Sequence, residues 1–175
     1  NLEYNPTDYN ERWEIANKLI DIANKANSKM IEMDGIGDKT NYEKYEKLRF
    51  AALKILIDAL ESNPNWPIRE IAANLLGMVD FQLPDEATEA LKYSFYHDAW
   101  DGVRQGATIA LRKANPEDEE VKNILVSALE YVFGIDIPYL AAKALALIGG
   151  GEPTTSLLNL EEHNQGTLNK WAAFV

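Results

Sequence analysis

One short helical phrase recurs three times between Trp66 and Gly149, and it restricts the chain to folds that stack one unit on the next. The first copy runs from Ile68 to Gly77, the second from Val103 to Arg112, and the third from Ile137 to Ala146. Ile68 to Val103 spans 35 positions and Val103 to Ile137 spans 34. Ala72, Ala107 and Ala141 share one offset, and Leu76, Leu111 and Leu145 share another. A period of this length is one helix-turn-helix unit, which cannot bury its apolar face alone and must stack on its neighbours.

The surrounding chain fits that reading. Trp13, Ala16, Ile20, Ala23 and Met30 fall at helical spacing, with Ile15, Leu19, Ile22 and Ala26 as a second line beside them. Together they predict one wide-striped amphipathic helix from Thr7 or Asp8, as cap, to about Met33. Asp34 to Thr40, with two glycines, reads as an ordinary loop. A further helix is predicted over roughly 42–62, where Leu48 to Leu56 repeats the signature in degenerate form. Pro67, Pro84, Pro116, Pro138 and Pro153 mark first turns, where a missing N–H costs nothing, and Asn65, Asn115 and Asp136 are candidate caps. The resulting helices are 67–79, 85–97, 101–114, 117–133, 137–149 and 153–160. The chain is thus expected to be one all-α domain over 1–175. It comprises an irregular N-terminal hairpin (8–62), regular repeats (66–149) and a C-terminal cap (152–175), in which Trp171 and Phe174 cover the apolar edge of the last repeat. An alternative is that the array continues beyond this chain. It begins at Asn1 rather than Met, which leaves open whether a segment before it was removed.

With those motifs in place, the pattern apolar-Arg-x-x-Ala-x-x-x-Leu, a turn, and a Pro-Asp/Glu helix start resembles HEAT repeats. It is closest to the short HEAT-like type first named for phycobilisome lyases. The resemblance covers 66–149 well and 42–62 less completely. It implies a right-handed α-solenoid of stacked antiparallel helix pairs, about eight or nine helices in all, with first helices convex, second helices concave, and protein binding on the concave side. It also implies that Arg69 and Arg104 are structural arginines paired with an Asp, for which Asp101 is placed; Pro138 stands where the third Arg belongs.

Charge narrows the functions. The net charge of −11 argues against nucleic acid, which needs clustered Lys and Arg, and against anionic lipid. No run reaches the roughly 18 apolar residues of a membrane span. The absence of cysteine removes disulfides, zinc-thiolate sites and thiol nucleophiles, and fits a soluble, cytoplasmic protein. With two histidines, His97 and His163, far apart in sequence, no metal or cofactor site is expected. Glu117 to Glu120 form a helix first turn, where carboxylates favour the dipole.

What remains is an aromatic-acidic set. Tyr93, Tyr96 and His97 project off the apolar stripe of their helix, near Glu89 and Lys92, and Glu130 and Tyr131 come from the equivalent next helix. Trp100 sits at the following turn. These residues either pack between repeats or line a groove, since exposed Tyr is a favoured interface anchor. The expectation is a non-catalytic interaction module that binds a protein or peptide, of basic character, through its second helices. The other readings are an acidic inhibitor or immunity-type protein that blocks a basic partner, and a subunit of a bilin-lyase-like enzyme. A HEAT-like DNA glycosylase would need a basic concave face, against the charge balance.

Overall fold

The computed structural model describes residues 6–129 and Ala141. These residues form six helices and, among them, no strand: α1 (Pro6–Gly35), α2 (Lys39–Ser62), α3 (Trp66–Leu76), α4 (Asp85–His97), α5 (Asp101–Leu111) and α6 (Glu119–Leu129). The third copy of the phrase apart from Ala141, the helices at 137–149 and 153–160, and the Trp171–Phe174 cap lie outside the described residues.

The helices make two rows. α1, α3 and α5 pack side by side in one, and α2 and α4 in the other; α1 with α2, α2 with α3, and α4 with α5 close the space between the rows. One continuous core fills that space, with Leu53, Ile57, Leu75, Leu76, Leu91 and Leu111 all but fully buried. Ala141 joins the same core. Close approach within the first row rests on small residues. A Cβ added at Gly106 meets the Ala73 Cβ at 3.0 Å, and one added at Gly77 meets the Ala110 Cα at 3.1 Å, so α3 and α5 approach closely.

The element ends differ from the sequence expectation at several places: α3 and α5 each stop about a turn early, at Leu76 and Leu111 rather than 79 and 114, and Asn65 stands before α3 without a side-chain capping bond. α1 runs on to Gly35 and contains Thr7 and Asp8 inside the helix, so neither caps it. The expected loop of 34–40 is a tight helix stop of three residues. Gly37 takes a left-handed conformation (φ 73°), its N–H donates to the Asp34 carbonyl, and the Asp38 N–H reaches back to the Met33 carbonyl. Asp38 then caps α2 by accepting from the Asn41 N–H at 3.1 Å. Further on, Pro84 is the residue before α4, and Pro116 sits in a turn closed by the Asp118 N–H on the Asn115 carbonyl. Helix α6 therefore starts at Glu119, with Asp118 rather than Asn115 accepting from the Glu120 and Val121 N–H groups. The α1 stripe is also narrower than expected. Ile20, Ala23, Ala26 and Met30 are buried, but Ile15 and Ile22 of the second line are exposed.

Candidate functional site

The predicted set gathers on α4. Its inward side carries Ala87, Ala90, Leu91, Ser94 and Phe95, all buried. At 100° per residue this places Tyr93, Tyr96 and His97 on the opposite side, and all three are exposed. The rings form one cluster. Tyr93 lies 4.6 Å from the His97 ring centre, one helical turn on, and Tyr96 lies 6.2 Å from it. Tyr96 also meets Phe95 edge-on at 5.2 Å. His97 is the last residue of α4, at the negative end of the helix dipole.

Behind this cluster, a cleft of about 240 Å³ opens between the C-terminal ends of α2 and α4, lined among others by Glu61, Asn63, Arg69, Tyr93, His97 and Asp98. Its floor is an ion pair. Arg69 donates from Nε (2.7 Å) and Nη2 (3.0 Å) to the two carboxylate oxygens of Asp98, and from Nη1 to the Asn63 and Pro64 carbonyls. Burial alone raises the Asp98 pKa, but the Arg69 guanidinium and the Trp100 N–H outweigh it and hold the carboxyl below the usual range. Arg104 donates to the Asp98 carbonyl and pairs with Asp101. Both repeat arginines thus tie down the α4–α5 turn, which makes them structural supports of the cluster. Trp100, exposed at that turn, stacks on Trp66 with centres 4.7 Å apart, so successive first helices begin with facing indoles.

Lys92 departs from the grouping expected for it. Its side chain is 7 % exposed and points away from the tyrosines, to Glu89 (2.8 Å), Glu120 (2.9 Å) and Asp118 (3.0 Å). Burial would lower its pKa, but the three carboxylates outweigh that and raise it. Lys54 has a similar role in the preceding unit, linking Asp58 at 2.8 Å to Glu86 of α4 at 2.6 Å. Glu130 and Tyr131 lie outside the described residues. Sequence reasoning missed Glu61, which the α2–α4 pairing brings beside Tyr93; its signal was its place in the last turn of α2, level with the end of α4.

No family model matches the chain, and no curated protein matches it.

Among the described residues, no group of three or more His, Asp or Glu side chains is arranged to hold a metal, and no helix is long and apolar enough to cross a membrane. Ser94 is buried, its carbonyl accepts from the Asp98 N–H, and it forms no triad with His97 and an acid. The arrangement presents two tyrosine rings and an imidazole on the outer side of α4, beside a cleft lined by Glu61, Arg69 and Asp98.

Proposed function

We propose that this chain is a non-catalytic protein-interaction module of the HEAT-like class. In this reading it is a right-handed solenoid of about eight or nine helices that docks a protein or peptide on its second-helix face. One observation carries the reading: Tyr93 and Tyr96 stand 64 % and 54 % exposed, side by side with His97, on a helix whose other side is fully buried. Rigid amphipathic rings lose little entropy on contact and are favoured anchors. The Glu61 carboxylate, which lines the same cleft as Tyr93 and His97, and the net charge of −11 point to a partner rich in Lys or Arg. Support for the array comes from the two rows of helices and from the Arg69 and Arg104 ties at one inter-helix turn. A cysteine-free chain suits a reducing, cytoplasmic setting.

The test is fluorescence anisotropy with labelled Lys/Arg-rich, neutral and acidic peptides. Basic peptides are expected to bind, more weakly at high salt. The Tyr93→Ala/Tyr96→Ala double variant should lose at least about tenfold in affinity with helicity and melting unchanged. Equal binding by the double variant overturns the site, and a preference for acidic peptides overturns the partner class.

A further inference from the structure

The outward side of the α1–α2 hairpin carries two exposed rows of side chains in which large apolar residues recur. On α1, Ile15, Lys18, Ile22, Lys25 and Lys29 succeed one another at steps of three and four. On α2, Lys44, Leu48, Ala51, Ile55 and Asp58 do the same. All ten are exposed. Ile15 and Ile22 on α1 and Leu48 and Ile55 on α2 are the large apolar members, each pair seven residues apart and so on one side of its helix, where a facing helix could seat them between the charged residues.

Both rows of side chains point away from the rest of the molecule. Asn24, roughly opposite Ile22 around the helix, accepts from the Asp80 N–H at 3.1 Å and so marks the side of α1 that faces the α3–α4 connection. Lys54, a quarter turn or so from Ile55, reaches Glu86 and marks the side of α2 that faces α4. Among the described residues nothing covers the remaining side, and Ile15, Ile22, Leu48 and Ile55 keep 65 %, 39 %, 46 % and 56 % of their surface in water.

Charge order selects the occupant. Glu11, four residues before Ile15, and Asp58 lie at the open end of the hairpin, while Lys25, Lys29 and Lys44 lie toward the turn. Lys29 and Asp58 bond Glu32 and Lys54 on their own helices, and each remains more than half exposed or close to it. Laying one hairpin on another turn over turn stacks lysine on lysine. A two-fold axis at right angles to the hairpin instead sets each lysine end over an acidic end, with α1 antiparallel to its counterpart. The 24 residues of α2 span about 36 Å, and two helices about 10 Å apart give on the order of 700 Å² per copy. That is close to the ~800 Å² per partner of a specific interface. We propose that the chain forms an antiparallel two-fold dimer through this face, leaving both α4 faces free.

The experiment is sedimentation velocity on the full chain across a concentration series. A dimer is expected for the natural chain, and a monomer of equal helicity for Ile22→Glu/Ile55→Glu. Lys29→Glu should weaken the dimer at least severalfold, and Glu11→Lys added to it should restore association. Because the chain has no cysteine, Ile22→Cys near the axis should cross-link under oxidation while Glu89→Cys on α4 stays monomeric. A natural chain that is monomeric throughout, with the face covered by its own residues or by a preceding repeat, overturns the proposal. So does a dimer indifferent to Ile22→Glu/Ile55→Glu, or one that cross-links through Glu89→Cys alone.

Discussion

Asp98 is the residue on which the α4–α5 turn depends. Its side chain is nearly buried, bonded to Arg69 through both oxygens, and it also takes the Trp100 N–H. Removing one partner of such a pair leaves a charge without compensation, so Asp98→Ala is expected to cost about 3 kcal/mol in chemical denaturation. Its pKa is lowered in the folded state, so its contribution is complete above the ordinary carboxylate value of 3.8 and is lost as pH falls through the folded value. Glu70 has the opposite sign. Burial raises its pKa above 4.5, against a hydrogen bond from Tyr9, so its ionised form is a liability at neutral pH. Glu70→Gln should therefore melt higher than the natural chain at pH 7, with the difference vanishing at pH 4, as followed by circular dichroism. The Arg69–Asp98 pairing was not legible in the sequence, because a contact across 29 positions leaves no periodic trace. Asp101, the partner that the resemblance implied for the two arginines, pairs with Arg104 three residues on, whereas Arg69 takes Asp98 instead.

At the level of elements, helix existence was legible, as were both ends of α4, the start of α5 and the end of α2, while the other ends were not. The three-four pattern of Val121, Ile124, Leu125 and Ala128 marked α6, and all four are buried. Its start was misplaced because a proline fits equally well at the first helical position and in the second position of a turn, as Pro116 does here. The α1–α2 connection separates two glycines with opposite expectations. Gly35 ends α1 in ordinary backbone with nothing within 4 Å of an added Cβ, so Gly35→Ala should be neutral or stabilise by up to about 1 kcal/mol. Gly37 has equally open surroundings but a φ of 73°, so Gly37→Ala should destabilise by about 1 kcal/mol. Paired urea melts of the two variants measure the difference.

Across the whole molecule, phase alone set Tyr93, Tyr96 and His97 off the apolar stripe of α4, but their exposure, which the sequence left open between packing and a groove, came from the packing of the helices. The burial of Lys92 was not legible either, because its three carboxylates converge from α4 and from the start of α6, and only the packing of the two units brings them together. Lys92→Ala leaves those carboxylates facing one another. It should cost about 3 kcal/mol and speed amide exchange in 119–129 more than in α3 or α5. The two rows of the fold are thus held by unlike means. Where α3 meets α5, a Cβ added at Gly106 or at Gly77 would stand only 3.0 to 3.1 Å from its nearest neighbour, so the two helices pack with little slack. In the other row, α2 is linked to α4 by Lys54 on Glu86, and α4 to the start of α6 by Lys92. Salt therefore acts on the two rows unequally: it screens the half-exposed Lys54–Glu86 pair and leaves the close contacts of the first row as they are, so added salt is expected to speed amide exchange where α2 meets α4 before it does so where α3 meets α5.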